Sequence, residues 1–127
     1  MSKKIIIGVD DDQDILDLIS VVVVNSGYRF IGVSSGHECI DVLATANPIL
    51  IFLDVEMPSM NGFETLKEIR SLFPNLSAPV AFLTAHRSQK YLEQALELEG
   101  TSFILKPFDP QRLIQRIQDL VEGNKNE

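Results

Sequence analysis

The sequence lacks the features of secreted, disulfide-stabilised and membrane-spanning proteins. Its single cysteine, Cys39, excludes a disulfide framework within the chain and suits a reducing compartment. No apolar run approaches the roughly 18–20 residues that a membrane-spanning helix needs. The first residues, MSKKI, do not resemble a signal peptide. We therefore expect a cytoplasmic protein that has no membrane partner.

Positive charge is scarce as well. The chain has 11 Lys and Arg residues against 18 Asp and Glu residues, which gives a formal net charge of −7. A surface that grips nucleic acid through its phosphates must be basic. This balance argues against direct nucleic-acid binding by this domain.

The length and the apolar content are those of one globular domain. The 127 residues are 45% hydrophobic and 23% charged, and they can bury a core without disulfides. We expect a single domain over residues 1–127, with a core from about residue 4 to residue 121. Residues 122–127 are expected to form a polar tail or the start of a linker.

Short apolar runs alternate with stretches of helical periodicity. The runs are rich in β-branched residues and do not alternate with polar residues, which is typical of strands buried on both faces; they are KIIIGV (4–9), RFIGV (29–33), ILIFL (49–53), VAFLT (80–84) and FILK (103–106). Apolar residues between and after them recur at helical spacing and predict five helices. Five strands alternating with five helices favour an α/β fold with a parallel sheet covered on both faces.

Helix-start signals support this alternation. SGHE (35–38) and NGFE (61–64) resemble capping boxes, and DPQRL (109–113) offers an N-cap Asp followed by Pro. One local conflict arises at VVVV (21–24), which prefers a strand although the alternation requires a helix there. We place it in the first helix and expect some of its valines to be exposed.

Polar residues follow most of the predicted strands. Asp10 and Asp11 follow the first strand, Asp54 follows the third, Thr84 ends the fourth, and Lys106 ends the fifth. Ligands of open α/β sheets bind beyond the carboxyl ends of the strands. Three carboxylates suit an octahedral divalent cation such as Mg²⁺ or Mn²⁺. A lysine and a threonine beside that cation can hold phosphoryl oxygens.

Four motifs carry a family resemblance: VDDDQD (9–14), LDVEMPSMNGFE (53–64), LTA (83–85) and FILKPF (103–108). From Lys4 to about Val121 the sequence resembles a receiver domain of two-component response regulators, of the chemotaxis-regulator-like kind. The resemblance implies a flavodoxin-like (βα)5 fold, with five parallel strands in the order 2-1-3-4-5 and helices on both faces.

The resemblance also implies a role for each site residue. Asp54 would be the phosphoacceptor, helped by Thr84 and Lys106. The implied metal ligands are Asp10, Asp11, Asp54 and the backbone carbonyl of Glu56.

Two further roles concern the response to phosphorylation. Thr84 and Phe103 would form the conformational switch. We hypothesise that Glu56 and His86 tune the lifetime of the phosphate. Receiver domains often hold the peptide bond that corresponds to Lys106–Pro107 in the cis form, and the sequence alone does not show which isomer is present here.

The implied function is a phosphorylation-dependent signalling switch and not a turnover enzyme. The phosphoryl donor would be a phosphohistidine of a sensor histidine kinase or a histidine phosphotransfer protein. The domain would assist only its own phosphotransfer and autodephosphorylation, and would then change its partner-binding face. Its output would pass to an unknown partner or a C-terminal effector domain, and a phosphorylation-dependent dimer is compatible with this function.

Two other functions are weighed against this one. DDDQD resembles the D-x-D-x-T/V motif of haloacid-dehalogenase-like phosphatases, but Asp14 stands where Thr or Val belongs and the chain has no length for a cap domain. A purely structural pseudo-receiver would not need the acid pair, the acceptor, the threonine and the lysine together. The phosphatase remains the alternative.

Overall fold

Five parallel strands form the sheet of the computed structural model, which describes residues 3–85, 93–94 and 97–122. The strands are β1 (Ile5–Val9), β2 (Arg29–Val33), β3 (Leu50–Asp54), β4 (Val80–Thr84) and β5 (Thr101–Leu105). Their order across the sheet is β2-β1-β3-β4-β5, so the direction of strand addition reverses between β1 and β3. The predicted flavodoxin-like order is confirmed.

Four helices cover the two faces of the sheet within the described ranges. They are α1 (Gln13–Asn25), α2 (Gly36–Leu43), α3 (Gly62–Leu72) and α4 (Pro110–Ile117), and a wider π-type turn over Gln118–Glu122 extends α4. None of the helices in this part of the chain combines the length and the apolar character that a bilayer crossing requires.

The sheet has one hydrophobic core on each face. Each strand supplies side chains to both cores, because successive side chains of a strand point to opposite faces. In β1, Ile7 and Val9 pack in the cluster that includes α2 and α3, whereas Ile6 packs in the cluster that includes α1 and α4. All five residues of β3 and of β4 are buried. The two central strands therefore read as unbroken apolar runs in the sequence.

All three predicted helix starts are confirmed, but the capping box predicted at Ser35 is incomplete, because the Glu38 side chain accepts from the Ser34 amide and not from the Ser35 amide. The side chain of Ser35 accepts from the Glu38 amide, and that of Asp109 accepts from the Arg112 amide. Asn61 and Glu64 complete a reciprocal capping box at the start of α3. At α1 the N-cap is Asp12, whose side chain accepts from the Asp14 amide.

The VVVV segment is helical, as predicted, and Val21 and Val24 are exposed at 59% and 51%. The fifth strand begins at Thr101 and not at Phe103, since Thr101 and Ser102 also pair with β4. Their polar side chains hid this part of the strand from the apolar pattern. The stretch predicted to form a helix between β4 and β5 lies mostly outside the described residues.

Candidate functional site

The strand reversal brings two acidic side chains together. The register pairs Val9 of β1 with Leu53 of β3, so the next residue of each chain segment, Asp10 or Asp54, lies at the same edge of the sheet. Asp10 is fully buried and Asp54 is 1% exposed. The amide of Asp12 donates to Asp10 Oδ1 at 3.0 Å, so the turn into α1 holds the Asp10 carboxylate in place.

Asp11 completes a cluster of three carboxylates. One side-chain oxygen each from Asp10, Asp11 and Asp54 lies within 4.8 Å of the others, and Asp11 is the exposed member. Asp10 Oδ2 is buried and makes no hydrogen bond of good geometry among the described residues. Hard oxygen donors at this spacing, with one side open to water, fit a divalent cation such as Mg²⁺.

Lys106 lies against this cluster. Its Nζ atom is 2.9 Å from Asp10 Oδ2 and 3.2 Å from Asp54 Oδ1. The Lys106 amide donates to the Thr84 carbonyl at 2.8 Å, which fixes the end of β5 beside β4, and the following bond to Pro107 is cis. Burial acts to lower the pKa of Lys106, but its contacts with Asp10 and Asp54 outweigh burial and raise it. The amine therefore stays protonated and donates.

Among the described residues, three carboxylates share one neighbouring ammonium group, and this imbalance affects the pKa of Asp54. Burial, and then the charge of Asp10, raise the pKa of Asp54 to about 7, although Lys106 acts to lower it. Ionised Asp54 is therefore under-compensated by the protein alone. A divalent cation would supply the missing positive charge, which is a second respect in which the donor set fits a metal.

Thr84 and Glu56 are joined at the neighbouring strand end. The Thr84 side chain is fully buried, and its Oγ1 donates to Glu56 Oε2 at 3.0 Å, with Oε1 at 3.3 Å. The Ala85 amide also donates to Glu56 Oε1 at 3.4 Å. Sequence reasoning had considered the backbone carbonyl of Glu56 and a role in phosphate lifetime, and it missed this side-chain contact.

Phe103 is half-buried and packs toward the core. Its ring centroid lies 5.9 Å from that of Phe82, and the Phe82 and Phe63 centroids are 4.8 Å apart. Phe63 is the second residue of α3, so a row of aromatic rings connects the predicted switch aromatic with the helix that follows the acceptor loop.

The loop between Asp54 and α3 depends on a close backbone approach at Gly62. The Gly62 amide donates to the Val55 carbonyl at 3.0 Å. A Cβ at Gly62 would lie 2.5 Å from the Asp54 carbonyl oxygen, so no larger residue fits without moving the acceptor strand end. Sequence reasoning used the NG pair only as a helix-start signal, and it missed this constraint.

The structure thus brings Asp10, Asp11, Asp54 and Lys106 into one site, with Thr84 at the adjacent strand end. His86 lies outside the described residues. The part of the Glu56 backbone carbonyl as a ligand stays a prediction.

Comparison with known proteins shows which protein family the chain belongs to. Residues 6–118 match the family model described as the response regulator receiver domain. The chain is 34% identical over 117 residues to the response regulator SaeR of Staphylococcus aureus, which covers 92% of this chain and 50% of SaeR. The chain therefore spans about half the length of that relative.

Solved structures agree with the family match. The chemotaxis protein CheY4 of Vibrio cholerae superposes with a TM-score of 0.86 at 27% identity, over 94% of this chain and 99% of CheY4. The receiver domain of NtrX from Brucella abortus gives a TM-score of 0.81 at 28% identity, over 92% of this chain and 98% of that domain.

Proposed function

The chain belongs to the response regulator receiver domain family of two-component systems, and on that premise we propose that it is a phosphorylation switch whose acceptor is Asp54. The observation that carries the proposal is the convergence of Asp10, Asp11 and Asp54 within 4.8 Å, with Lys106 Nζ 3.2 Å from Asp54. A lone acidic pair at a strand end is common. Phosphoryl transfer to a carboxylate needs a buried acceptor that lies beside further carboxylates, which can hold a cation, and beside a lysine, which can bind the phosphoryl oxygens.

In the proposed reaction, an Asp54 carboxylate oxygen attacks the phosphorus atom of a phosphohistidine. The new O–P bond forms as the P–N bond breaks, and the electron pair stays on the imidazole nitrogen of the donor, which takes up a proton. Lys106 and the Thr84 hydroxyl would then donate hydrogen bonds to the phosphoryl oxygens. No turnover of a separate substrate is involved.

Asp10, Asp11 and Asp54, with the backbone carbonyl of Glu56, would hold Mg²⁺, and Mn²⁺ would suit the same oxygens. When bound, the cation would offset the charge that the carboxylates and the phosphoryl group share. Lys106 would contribute the remaining positive charge from the other side of Asp54.

The same site would release the phosphate. Water would attack phosphorus, the bond between phosphorus and the Asp54 oxygen would break, and a carboxylate and inorganic phosphate would result. We propose that Glu56 and His86 set the rate of this step. Measuring acyl-phosphate decay in Glu56→Asn and His86→Ala tests this, and unchanged decay in both would contradict it.

The output would be a change of surface. The Thr84 side chain would move toward the phosphate, and Phe103 would move after it. The phosphoryl group would favour this conformation over the resting one to the extent that its affinity for the two differs. We propose a sensor histidine kinase or a histidine phosphotransfer protein as the donor. The output would pass to a partner or an effector domain, with a phosphorylation-dependent dimer as one form of the response.

The remaining proposals concern the setting of the domain. We propose that residues 1–127 form one domain with a core over about 4–121 and a polar tail or linker start at 122–127. With a net charge of −7, the domain itself would not bind nucleic acid directly. Cytoplasmic location is proposed from the single cysteine and from a donor of the kinase class.

The experiment is intact-mass measurement after treatment with acetyl phosphate. We expect one added phosphoryl group that is base-labile and requires Mg²⁺, and none on Asp54→Ala. Asp41→Asn, on the exposed face of α2, is the matched control and should behave as the unaltered protein. Repeated turnover of small phosphoesters without a stable adduct would favour the phosphatase, and neither activity would contradict both.

A further inference from the structure

The Glu56 carboxylate accepts a hydrogen bond from the Thr84 hydroxyl, which is the group that the switch is expected to use. Thr84 Oγ1 lies 3.0 Å from Glu56 Oε2 and 3.3 Å from Oε1. Because a carboxylate oxygen of Glu56 accepts this hydrogen bond and Thr84 is fully buried, the bond is of the stronger, charge-assisted kind.

The backbone around both residues is fixed, so the contact depends on side-chain rotation. The Val55 amide donates to the Leu83 carbonyl at 2.9 Å, and Val55 and Met57 are buried on either side of Glu56. On the Thr84 side, the Lys106 amide holds the Thr84 carbonyl at 2.8 Å. The Thr84 hydroxyl can thus change its acceptor without a change in strand pairing.

A hydroxyl carries one proton, so Thr84 can donate to one acceptor group at a time. A phosphoryl group on Asp54 would bring up to two negative charges and three acceptor oxygens to the same rim. It would attract the Thr84 proton and repel the Glu56 carboxylate. The two acceptors therefore compete.

Resting on the proposed function, we propose that Glu56 is a positioning residue that holds the Thr84 hydroxyl in the unphosphorylated protein and so opposes the phosphorylated arrangement. This role belongs to the Glu56 side chain and to the resting state. It is separate from the tuning of phosphate decay, which acts after phosphorylation.

The first part of the test needs no phosphoryl mimic. Thermal unfolding is measured for the unaltered protein, Glu56→Gln, Thr84→Val and the double variant, with Glu68→Gln on the exposed face of α3 as the charge-matched control. If the hydrogen bond stabilises the resting state, the two single changes lower the midpoint and the double change lowers it by less than their sum. Additive effects would overturn the inference.

The second part measures competition with beryllofluoride, which mimics a phosphoryl group on a carboxylate, in the presence of Mg²⁺. Glu56→Gln keeps a weaker acceptor and Glu56→Ala keeps none, so we expect affinity to rise in that order, by about tenfold for Ala, the ratio that 1.4 kcal/mol produces. In the Thr84→Val background the same Glu56 changes should gain little. An equal gain there would show plain charge repulsion and would overturn the inference.

Nuclear magnetic resonance of the Thr84 methyl group and the Phe103 ring supplies a readout that a merely structural role would not move. In Glu56→Ala without beryllofluoride, both sets of signals should shift toward their positions in the beryllofluoride-bound unaltered protein. Signals that stay at the resting positions would contradict the proposal. If the unaltered protein binds no beryllofluoride, the proposed function fails and the inference fails with it; normal binding with no coupling between Glu56 and Thr84 overturns the inference alone.

Discussion

Replacing Asp54 by Asn should stabilise the metal-free protein. The Asp54 oxygen lies within 4.8 Å of an oxygen of the buried Asp10 carboxylate, and at an effective dielectric constant of about 20 a pair at that distance repels by about 3.5 kcal/mol. Lys106, 3.2 Å away, returns about 5 kcal/mol on the same scale. The attraction to Lys106 therefore offsets the repulsion from Asp10, and the exposed Asp11 carboxylate adds little because water screens it.

Burial supplies the main penalty for the ionised Asp54 carboxylate. Burial, and after it the charge of Asp10, raise the pKa of Asp54 from 3.8 to about 7. A shift of that size corresponds to a loss of about 4 kcal/mol in the free energy of unfolding once the carboxyl is fully ionised. The amide of Asn has nearly the shape of the carboxylate without the charge. We therefore expect Asp54→Asn to raise the free energy of unfolding by about 2–4 kcal/mol at pH 8 in the presence of a chelator.

The sign of the pH dependence follows from the raised pKa. Below the unfolded value, near 3.8, Asp54 is protonated in both states, and its burial has no ionic penalty. Between about pH 3.8 and pH 7 the unfolded carboxyl is ionised while the folded one keeps its proton, so the unaltered protein loses stability relative to the variant, and the loss is complete above about pH 7. The advantage of Asp54→Asn should therefore be full at pH 8 and less than half as large at pH 5.

Urea unfolding at pH 8 and pH 5, with chelator, measures this directly, and Asp41→Asn on the exposed face of α2 controls for loss of one surface charge. Mg²⁺ at about 1,000 times its Kd should remove this advantage at pH 8, because a ligand at that excess adds about 4.1 kcal/mol to the stability of the protein that binds it. A variant no more stable than the unaltered protein at pH 8, or equally favoured at both pH values, would refute the charge argument.

Three further changes test other parts of the site. Gly62→Ala places a Cβ 2.5 Å from the Asp54 carbonyl oxygen, so we expect a loss of about 1–3 kcal/mol in urea unfolding together with slower phosphorylation; normal stability would contradict the close approach. Ser59 has a φ of 70°, so Ser59→Gly should stabilise by up to about 1 kcal/mol in thermal unfolding, and a loss would argue against that backbone shape. Val24 is 51% exposed on α1, and because an exposed apolar patch is typical of a partner site, we predict that the kinase contacts it. Val24→Glu should then slow phosphotransfer from the kinase and leave the rate with acetyl phosphate unchanged; equal slowing of both rates would count against docking there.

The strands and the positions of the acids could be predicted from simple rules, and the strand order was implied by the family resemblance. Buried parallel strands appear as unbroken apolar runs, and their carboxyl ends meet at one edge. Asp10, Asp54 and Lys106 each stand at such an end, so their meeting required only the strand order. The start of β5 was missed because β5 is an edge strand, where half-buried polar residues such as Thr101 are tolerated.

Side-chain pairing across loops could not be predicted in the same way. The contact between Glu56 and Thr84 depends on the path of the loop after Asp54, and that path depends on where Val55, Met57 and Gly62 pack. No local pattern in the sequence encodes such a path. The NG pair, however, could have suggested that the residue after the N-cap needs to be small.

The most direct measurement of the central claim is the location of the phosphoryl group. Borohydride reduces an acyl phosphate to an alcohol, so treatment after acetyl phosphate and Mg²⁺ should convert Asp54 to homoserine, which peptide mass spectrometry can place in the sequence. We predict homoserine at position 54 alone, and none when Mg²⁺ is removed. Reduction at Asp10 or Asp11, or no reduction at any aspartate, would contradict the account.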